Sequence, residues 1–144
     1  MKTEITLCFD FGNSRKKLAV FSNKKIIAER ILYTDTSGEI ETLLQEFKPQ
    51  KSILSSVINH NPGIEDTLKE KTHFHKLSVA TKLNFTAPVG KPETIGADRL
   101  AIAAAAVHFF PKKNNLVIGL GSCITYNFIS QQHEFLGGAI SPGM

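Results

Sequence analysis

Ile5-Thr-Leu-Cys-Phe-Asp-Phe-Gly-Asn-Ser-Arg-Lys-Lys-Leu-Ala-Val-Phe21 is the stretch on which the fold reading turns. An apolar, β-branched run from Ile5 to Phe11 breaks at Gly12-Asn13 and resumes as Leu18-Ala-Val-Phe21. A third run, Ile26 to Leu32, follows Asn23-Lys24-Lys25. Short apolar runs separated by turn residues predict consecutive hairpin strands. Periodicity then changes. Ile40, Leu43, Leu44 and Phe47 recur at spacings of three and four, which predicts an amphipathic helix over 38–48 stopped by Pro49. A short buried strand is expected from Ser52 to Val57, a helix opened by Pro62 through about Lys71, and a strand from Phe74 to Val79. Residues 80–94 carry two prolines and a glycine and read as loop. An alanine-rich helix is expected from about Ala97 to Phe110, before Pro111. Strands at 116–119, 123–129 and 133–136 follow, then Gly137-Gly138 and Ser141-Pro142-Gly143. Three strands, then alternating helix and strand, then strands again predict an α/β fold whose sheet begins as a meander.

Composition bounds the function. The 144 residues suit one ordinary domain, which buries roughly two thirds of its unfolded surface. The chain is 42% apolar and 21% charged, which is ordinary for a globular protein. Its net charge of +4 is spread over Lys16-Lys17, Lys24-Lys25 and Lys112-Lys113, without the aromatic platforms of a nucleic-acid binder. No nucleic-acid partner is therefore expected, although a pI near 9.1 favours attraction of a phosphorylated anion. No apolar run approaches the ~20 residues of a membrane span, so no membrane partner is expected. The Met-Lys-Thr-Glu start leads straight into a strand with an acid at position 10 and does not read as a secretory signal. Cys8 and Cys123 both lie in apolar runs and read as small hydrophobes, not as a disulfide framework. That usage fits a cytoplasmic protein.

Three chemistry-bearing breaks interrupt the apolar pattern. Asp10-Phe11-Gly12-Asn13-Ser14 ends the first run, Gly96-Ala97-Asp98-Arg99 opens the alanine-rich helix, and Gly119-Leu120-Gly121-Ser122 breaks a later run. Glycine lets backbone approach a phosphate, and successive N–H groups in a turn donate to its oxygens. An aspartate at a strand end suits magnesium held through water. Together the breaks suggest a phosphate-handling cleft built on two strand turns. Each also has a plainer reading: an Asp-Gly-Asn hairpin turn at 10–17, and a helix-start acid with a surface arginine at 98–99. Lys17 stands seven residues beyond Asp10, so the turn must fold it back or it must serve phosphates from the second strand. Other candidates carry less. His73-x-His75 lacks a third metal ligand at suitable spacing, His108 reads as an ordinary helix residue, and Phe109-Phe110 reads as core at a helix end. Ser122 and Cys123 do not form a nucleophile elbow.

The three breaks, with one later element, resemble type III pantothenate kinases. Asp10-Phe-Gly-Asn-Ser-Arg-Lys-Lys17 is similar to that family's first phosphate motif, usually Asp-x-Gly-Asn-Thr with a lysine three beyond. Gly96-Ala-Asp-Arg-Leu100 matches the Gly-x-Asp-Arg signature with its small-residue helix. Gly119-Leu-Gly-Ser-Cys-Ile-Thr125 stands in the place of the second phosphate motif, usually Asp-x-Gly-Thr-Ala. Phe135-Leu-Gly-Gly-Ala-Ile-Ser-Pro-Gly143 resembles the Gly-Gly-x-Ile-x-Pro-Gly element. The resemblance implies the acetate-and-sugar-kinase, Hsp70 and actin superfamily, whose members carry two ribonuclease-H-like halves with ATP in the cleft between them. On that basis residues 1–114 are expected to form the N-terminal ribonuclease-H-like half, an actin-like ATPase domain with a mixed sheet and flanking helices. Residues 115–144 are expected to be the opening strands of a second, incomplete half. Family members run on well past Gly143-Met144, so the chain is expected to be an N-terminal portion.

The resemblance also implies a reaction. ATP would phosphorylate pantothenate to 4'-phosphopantothenate, the first step of coenzyme A biosynthesis, in a homodimer needing Mg2+ and a monovalent cation (K+ or NH4+). Asp98 is expected to be the general base, with Gly96, Ala97, Asp98 and Arg99 binding substrate and Arg99 pairing its carboxylate. ATP phosphates are expected against Asp10, Phe11, Gly12, Asn13, Ser14, Arg15, Lys16, Lys17, Gly121 and Ser122, with Asp10 holding magnesium through water. Two departures stand out. Gly119 occupies the position of the acid that helps bind the monovalent cation, so that cation is doubtful and Gly119→Asp is expected to strengthen dependence on it. Val89 stands near the place of a substrate-contacting tyrosine, and Ser122 replaces threonine while keeping the hydroxyl. These departures, with the short length, sustain an alternative: a catalytically impaired relative that binds nucleotide or pantothenate in a regulatory role. A ribonuclease-H-like nuclease would need three or four clustered carboxylates, of which only Asp10 and Asp98 are found.

Overall fold

Side-chain alternation builds the first sheet. In the computed structural model, which describes residues 3–143, β1 (Ile5–Phe11) turns Leu7, Phe9 and Phe11 into the core and Asp10 to the opposite face. The outer residues Met1, Lys2 and Met144, on which the expected start and end of the chain fall, lie outside the described residues. β2 (Lys16–Ser22) pairs antiparallel with β1, placing Leu18 opposite Phe9 and Val20 opposite Leu7, so both strands present one apolar face. β3 (Lys25–Leu32) continues the meander. β4 (Lys51–Ser56) and β5 (His73–Lys76) join on the far side of β1, both parallel to their neighbours. The strand order is β3-β2-β1-β4-β5. Only β2 runs against the rest, which is the order of a ribonuclease-H-like half, as expected.

Two helices cover the apolar face. α1 (Ser37–Phe47) starts on Thr36, whose hydroxyl accepts from the Glu39 N–H, and ends where Lys48 turns left-handed at φ 48° ahead of Pro49. α2 (Pro62–Lys71) combines an Asn61 cap with proline in its first turn, where the missing N–H costs nothing. Their inward residues Ile40, Leu43, Ile64 and Leu68 meet Leu7, Phe9, Phe11, Leu18, Val20 and Leu54 in one core. Each such buried side chain contributes about 1.5–3 kcal/mol. Ser52 is the polar exception, its hydroxyl 2.6 Å from that of Thr72.

Contacts divide the chain at Lys76/Leu77 into two compact units. In the second, a single 3₁₀ turn at Pro92–Thr94 precedes α3 (Ala97–Phe109), and β6 (Asn115–Leu120), β7 (Cys123–Ile129) and β8 (Phe135–Pro142) form an antiparallel sheet in chain order. Leu100, Ala103, Ala106 and Val107 of α3 pack with Ile129, Phe135, Ile95 and Leu77. α3 therefore groups with the strands that follow it, whereas the sequence expectation drew a boundary after residue 114. The reading of 115–144 as the opening of a second half stays a proposal.

Four local expectations are corrected. β5 stops at Lys76 instead of reaching Val79, because Leu77 joins the second core and Ser78 and Thr81 close a turn. β8 runs on to Pro142 although Gly137-Gly138 read as a stop. Gly138 lies against the backbone of Tyr126, where a Cβ would collide with the carbonyl, so the glycine permits the pairing. Phe109 and Phe110 are 70% and 57% exposed instead of core, because Phe109 falls opposite the packed stripe and Phe110 leaves helical geometry. Cys123 is exposed at the start of β7, while Cys8 is half-buried in β1, where burial pushes its thiol pKa up.

Candidate functional site

The β1–β2 connection holds the candidates of the first unit. The Gly12 N–H donates to the Arg15 carbonyl at 3.0 Å and closes the turn. Gly12 is therefore not a phosphate donor in this conformation, and the N–H groups of the exposed Asn13 and Ser14 are the ones left to the outside. A Cβ on Gly12 would meet only the Arg15 carbonyl, at an ordinary 3.5 Å, so packing does not require glycine there. A cavity of about 560 Å³ opens beside this turn, lined by Gly12 to Lys16 together with Ile31, Leu32, Tyr33 and Ile58.

Strand register settles the two lysines. Asp10 pairs directly with Lys17, and Phe11 with Lys16. Residues opposite each other in an antiparallel pair share a face. Lys17 thus stands beside Asp10, and the seven-residue offset disappears once the hairpin folds. Lys16 faces the other way, its Nζ 2.8 Å from Asp35 Oδ1 and 5.8 Å above the Phe11 ring. Asp35 also accepts from the Asn61 N–H at 2.9 Å. It so ties the loop after β3 to Lys16 and to the cap of α2. The hydrogen bond from Lys16 outweighs burial and lowers the Asp35 pKa. A depressed folded pKa makes the stabilisation full above the ordinary value near ~4 and loses it as pH falls through the lowered one. Because the Asp35 side chain is 43% exposed, Asp35→Asn is expected to cost at most about 1 kcal/mol at pH 7. That difference should vanish in denaturant titrations at acid pH, and a constant difference would refute the pairing.

On the same face as Asp10, β4 contributes Ser55, which the sequence reading missed. Its Cα is the register partner of Asp10, and its hydroxyl is buried without a hydrogen-bond partner. No motif flags it. Only an alternation count along 51–56 combined with the β1 pairing would have found it.

The second unit holds the other candidates. Gly96 caps α3 without a side-chain bond, and Ala97 opens the helix. Asp98, half-buried in the first turn, accepts from the Arg99 N–H at 2.8 Å through Oδ1, the one hydrogen bond of its carboxylate among the described residues. Arg99 is less free than expected. Its Nε donates to Asn127 Oδ1 at 2.6 Å, its Nη2 to the Tyr126 carbonyl at 3.3 Å, and its guanidinium lies 5.4 Å from the centre of the Phe135 ring. Only Nη1 lacks a partner among the described residues. Asn127 is fully buried and spends its amide on Val117 and Thr125, so it depends on Arg99 for a donor. Arg99→Ala is expected to destabilise the unit by about 1–3 kcal/mol, read from urea midpoints, because it strands a buried acceptor. An unchanged midpoint would show that Arg99 does not hold the buried Asn127.

Gly119 and the later turn complete the set. Gly119 pairs with Thr125, and a Cβ at 119 would lie 2.6 Å from Thr125 Oγ1, which is held by Asn127. Glycine and threonine fit each other here, so an acid at 119 would first have to displace Thr125. Gly121 and Ser122 form the exposed β6–β7 turn, closed by the Gly121 N–H on the Cys123 carbonyl and by the Gly143 N–H on that of Ser122, both at 3.1 Å. Among the described residues no group of three or more His, Cys, Asp or Glu could hold a metal ion. Among the described residues no helix is long and apolar enough to cross a membrane.

A sheet of order β3-β2-β1-β4-β5 whose first hairpin carries an Asp-x-Gly-Asn turn defines an α/β protein of the actin-like, ribonuclease-H-like class. The family model for type III pantothenate kinase matches residues 6–144, and the chain belongs to that family. Type III pantothenate kinases of Christiangramia forsetii and Flavobacterium johnsoniae are 39% and 35% identical to it over 142 and 141 residues. These matches cover 97% and 96% of this chain but only 58% and 57% of those relatives, so the chain spans a little over half their length. A solved Campylobacter jejuni protein described as a Baf family transcriptional activator is 28% identical, with a TM-score of 0.52 over 96% of this chain and 55% of that one.

Proposed function

We propose that this chain carries the nucleotide- and pantothenate-handling residues of a kinase that transfers the γ-phosphoryl group of ATP to pantothenate, giving 4'-phosphopantothenate and opening coenzyme A biosynthesis. The observation that carries this reading is the register of the first hairpin. It sets Lys17 opposite Asp10 on one face of the sheet at the root of the Gly12–Arg15 turn, in a chain of the type III pantothenate kinase family. Phosphoryl transfer asks the protein chiefly for positioning and charge neutralisation. Lys17 and the Asn13 and Ser14 N–H groups supply positive ends for phosphate oxygens, and the exposed β6–β7 turn adds Ser122, the Gly121 N–H being taken by the Cys123 carbonyl. Asp98, its Oδ2 without a hydrogen bond among the described residues, is the group to take the proton from the attacking hydroxyl. Nη1 of Arg99 remains for the substrate carboxylate.

Magnesium fits the donor set. A lone aspartate flanked by a hydroxyl suits an ion that keeps most of its waters and takes the rest of its ligands from phosphates. When bound it would neutralise phosphate charge, with Asp10 the residue to hold it. A monovalent cation does not fit, since position 119 has no carboxylate and Thr125 crowds it. That same feature favours the second reading, a catalytically impaired relative that binds nucleotide or pantothenate in a regulatory role. A homodimeric, cytoplasmic protein is the assembly and compartment proposed with either reading. A coupled ADP-release assay with pantothenate against other small alcohols separates them. Pantothenate-specific release supports the kinase, and nucleotide binding without release supports the impaired relative.

A further inference from the structure

The three serines of β4 are treated differently by the fold. Ser52 Oγ bonds with Thr72 Oγ1, and Ser56 Oγ with the Ile58 carbonyl and His60 Nδ1. Ser55 Oγ alone is buried without a partner among the described residues, on a residue 8% exposed. An unmade hydrogen bond of this kind is unfavourable, and alanine would fill the position without it. Ser55 also has a particular place. It aligns with Asp10 across the parallel β1–β4 pair, and Asp10 aligns with Lys17 across the antiparallel β1–β2 pair. Ser55, Asp10 and Lys17 therefore form one row of residues on one face over three adjacent strands. The row lies at the C-terminal ends of β1 and β4, where open α/β sheets take their ligands.

We propose that Ser55 is a ligand-binding residue of the nucleotide site: its hydroxyl, together with the Asp10 carboxylate, holds the water shell of a magnesium ion carried by a nucleoside triphosphate. The proposal rests on the nucleotide reading above. A hydrated magnesium ion presents several water protons that need acceptors, and a carboxylate beside a hydroxyl meets two of them. The hydroxyl keeps its own proton for a phosphate oxygen, which accounts for a serine where a second acid would add repulsion toward the phosphates. Binding thus supplies the partner that the fold itself withholds.

The test is Ser55→Ala in the 144-residue chain, with Asp10→Asn alongside, read by calorimetric binding of ATP over a magnesium series and by thermal unfolding. Ser55→Ala is expected to raise the magnesium concentration for half-maximal ATP binding about fivefold to tenfold, with ATP binding in EDTA unchanged. The unfolding midpoint should hold or rise, since the variant deletes an unsatisfied buried hydroxyl. Magnesium dependence weakened by Asp10→Asn but not by Ser55→Ala would overturn the role of Ser55 and leave the nucleotide reading intact. A lowered midpoint in Ser55→Ala without a change in magnesium dependence would make the serine structural and overturn the proposal. Parent protein that binds no magnesium-ATP would overturn the nucleotide reading and this proposal with it.

Discussion

On the proposed kinase reading, Asp98→Asn is expected to lower pantothenate phosphorylation by about 10²–10⁴-fold, the usual loss when a positioned base is removed. The fold should not notice. The carboxylate makes one hydrogen bond among the described residues, from Oδ1 to the Arg99 N–H, and an asparagine carbonyl oxygen can accept the same bond. An uncharged amide in the first turn gives up a favourable interaction with the helix dipole, worth only about 0.3–1 kcal/mol. The substitution thus separates chemistry from stability, as Arg99→Ala does not. ADP release with pantothenate, measured beside the unfolding midpoint, checks it. Near-normal turnover would remove Asp98 from the mechanism and leave it a helix-start acid.

Gly138→Ala is expected to cost 3 kcal/mol or more, at the upper end for single substitutions, because the new methyl would occupy the Tyr126 carbonyl. Backbone cannot step aside there without breaking the β7–β8 ladder, in which Gly138 is the register partner of Asn127. The damage should spread to Arg99, whose Nη2 bonds that same carbonyl and would lie 3.1 Å from the methyl. Gly137→Ala is the control. Nothing lies within 4 Å of the added Cβ, so only the backbone strain of its φ of 105° is expected, about 1–2 kcal/mol. Urea unfolding of the two variants gives the comparison. Equal midpoints would mean that β8 does not pair with β7 in this register.

Much of the architecture was legible in the sequence because its signals are local. Periods of two and of three to four, punctuated by Gly12-Asn13, Pro49, Pro62 and Pro111, marked the helices and strands to within a few residues. The order of strands and helices followed from chain order and turn chemistry. The Asp10–Ser14 turn, Gly96–Arg99 and Gly121-Ser122 could be singled out because glycine and aspartate interrupting apolar runs need a reason. The two glycines at 137–138 misled for the same cause. Glycine signals either a turn or a close approach of backbone, and only the neighbouring strand says which.

What the tertiary structure decided is which residues meet. Pairing register put Lys17 beside Asp10, turned Lys16 away to Asp35, and brought Ser55 into their row. No spacing in the sequence encodes these matches, since β4 joins β1 across an intervening helix and a one-residue slip would exchange its faces. Packing likewise gave Arg99 to Asn127, a residue far along the chain, and the β6–β7 hairpin register fitted Gly119 to Thr125. Local periodicity sets what each segment becomes. Burial and strand pairing between distant segments set which of its side chains a ligand can reach.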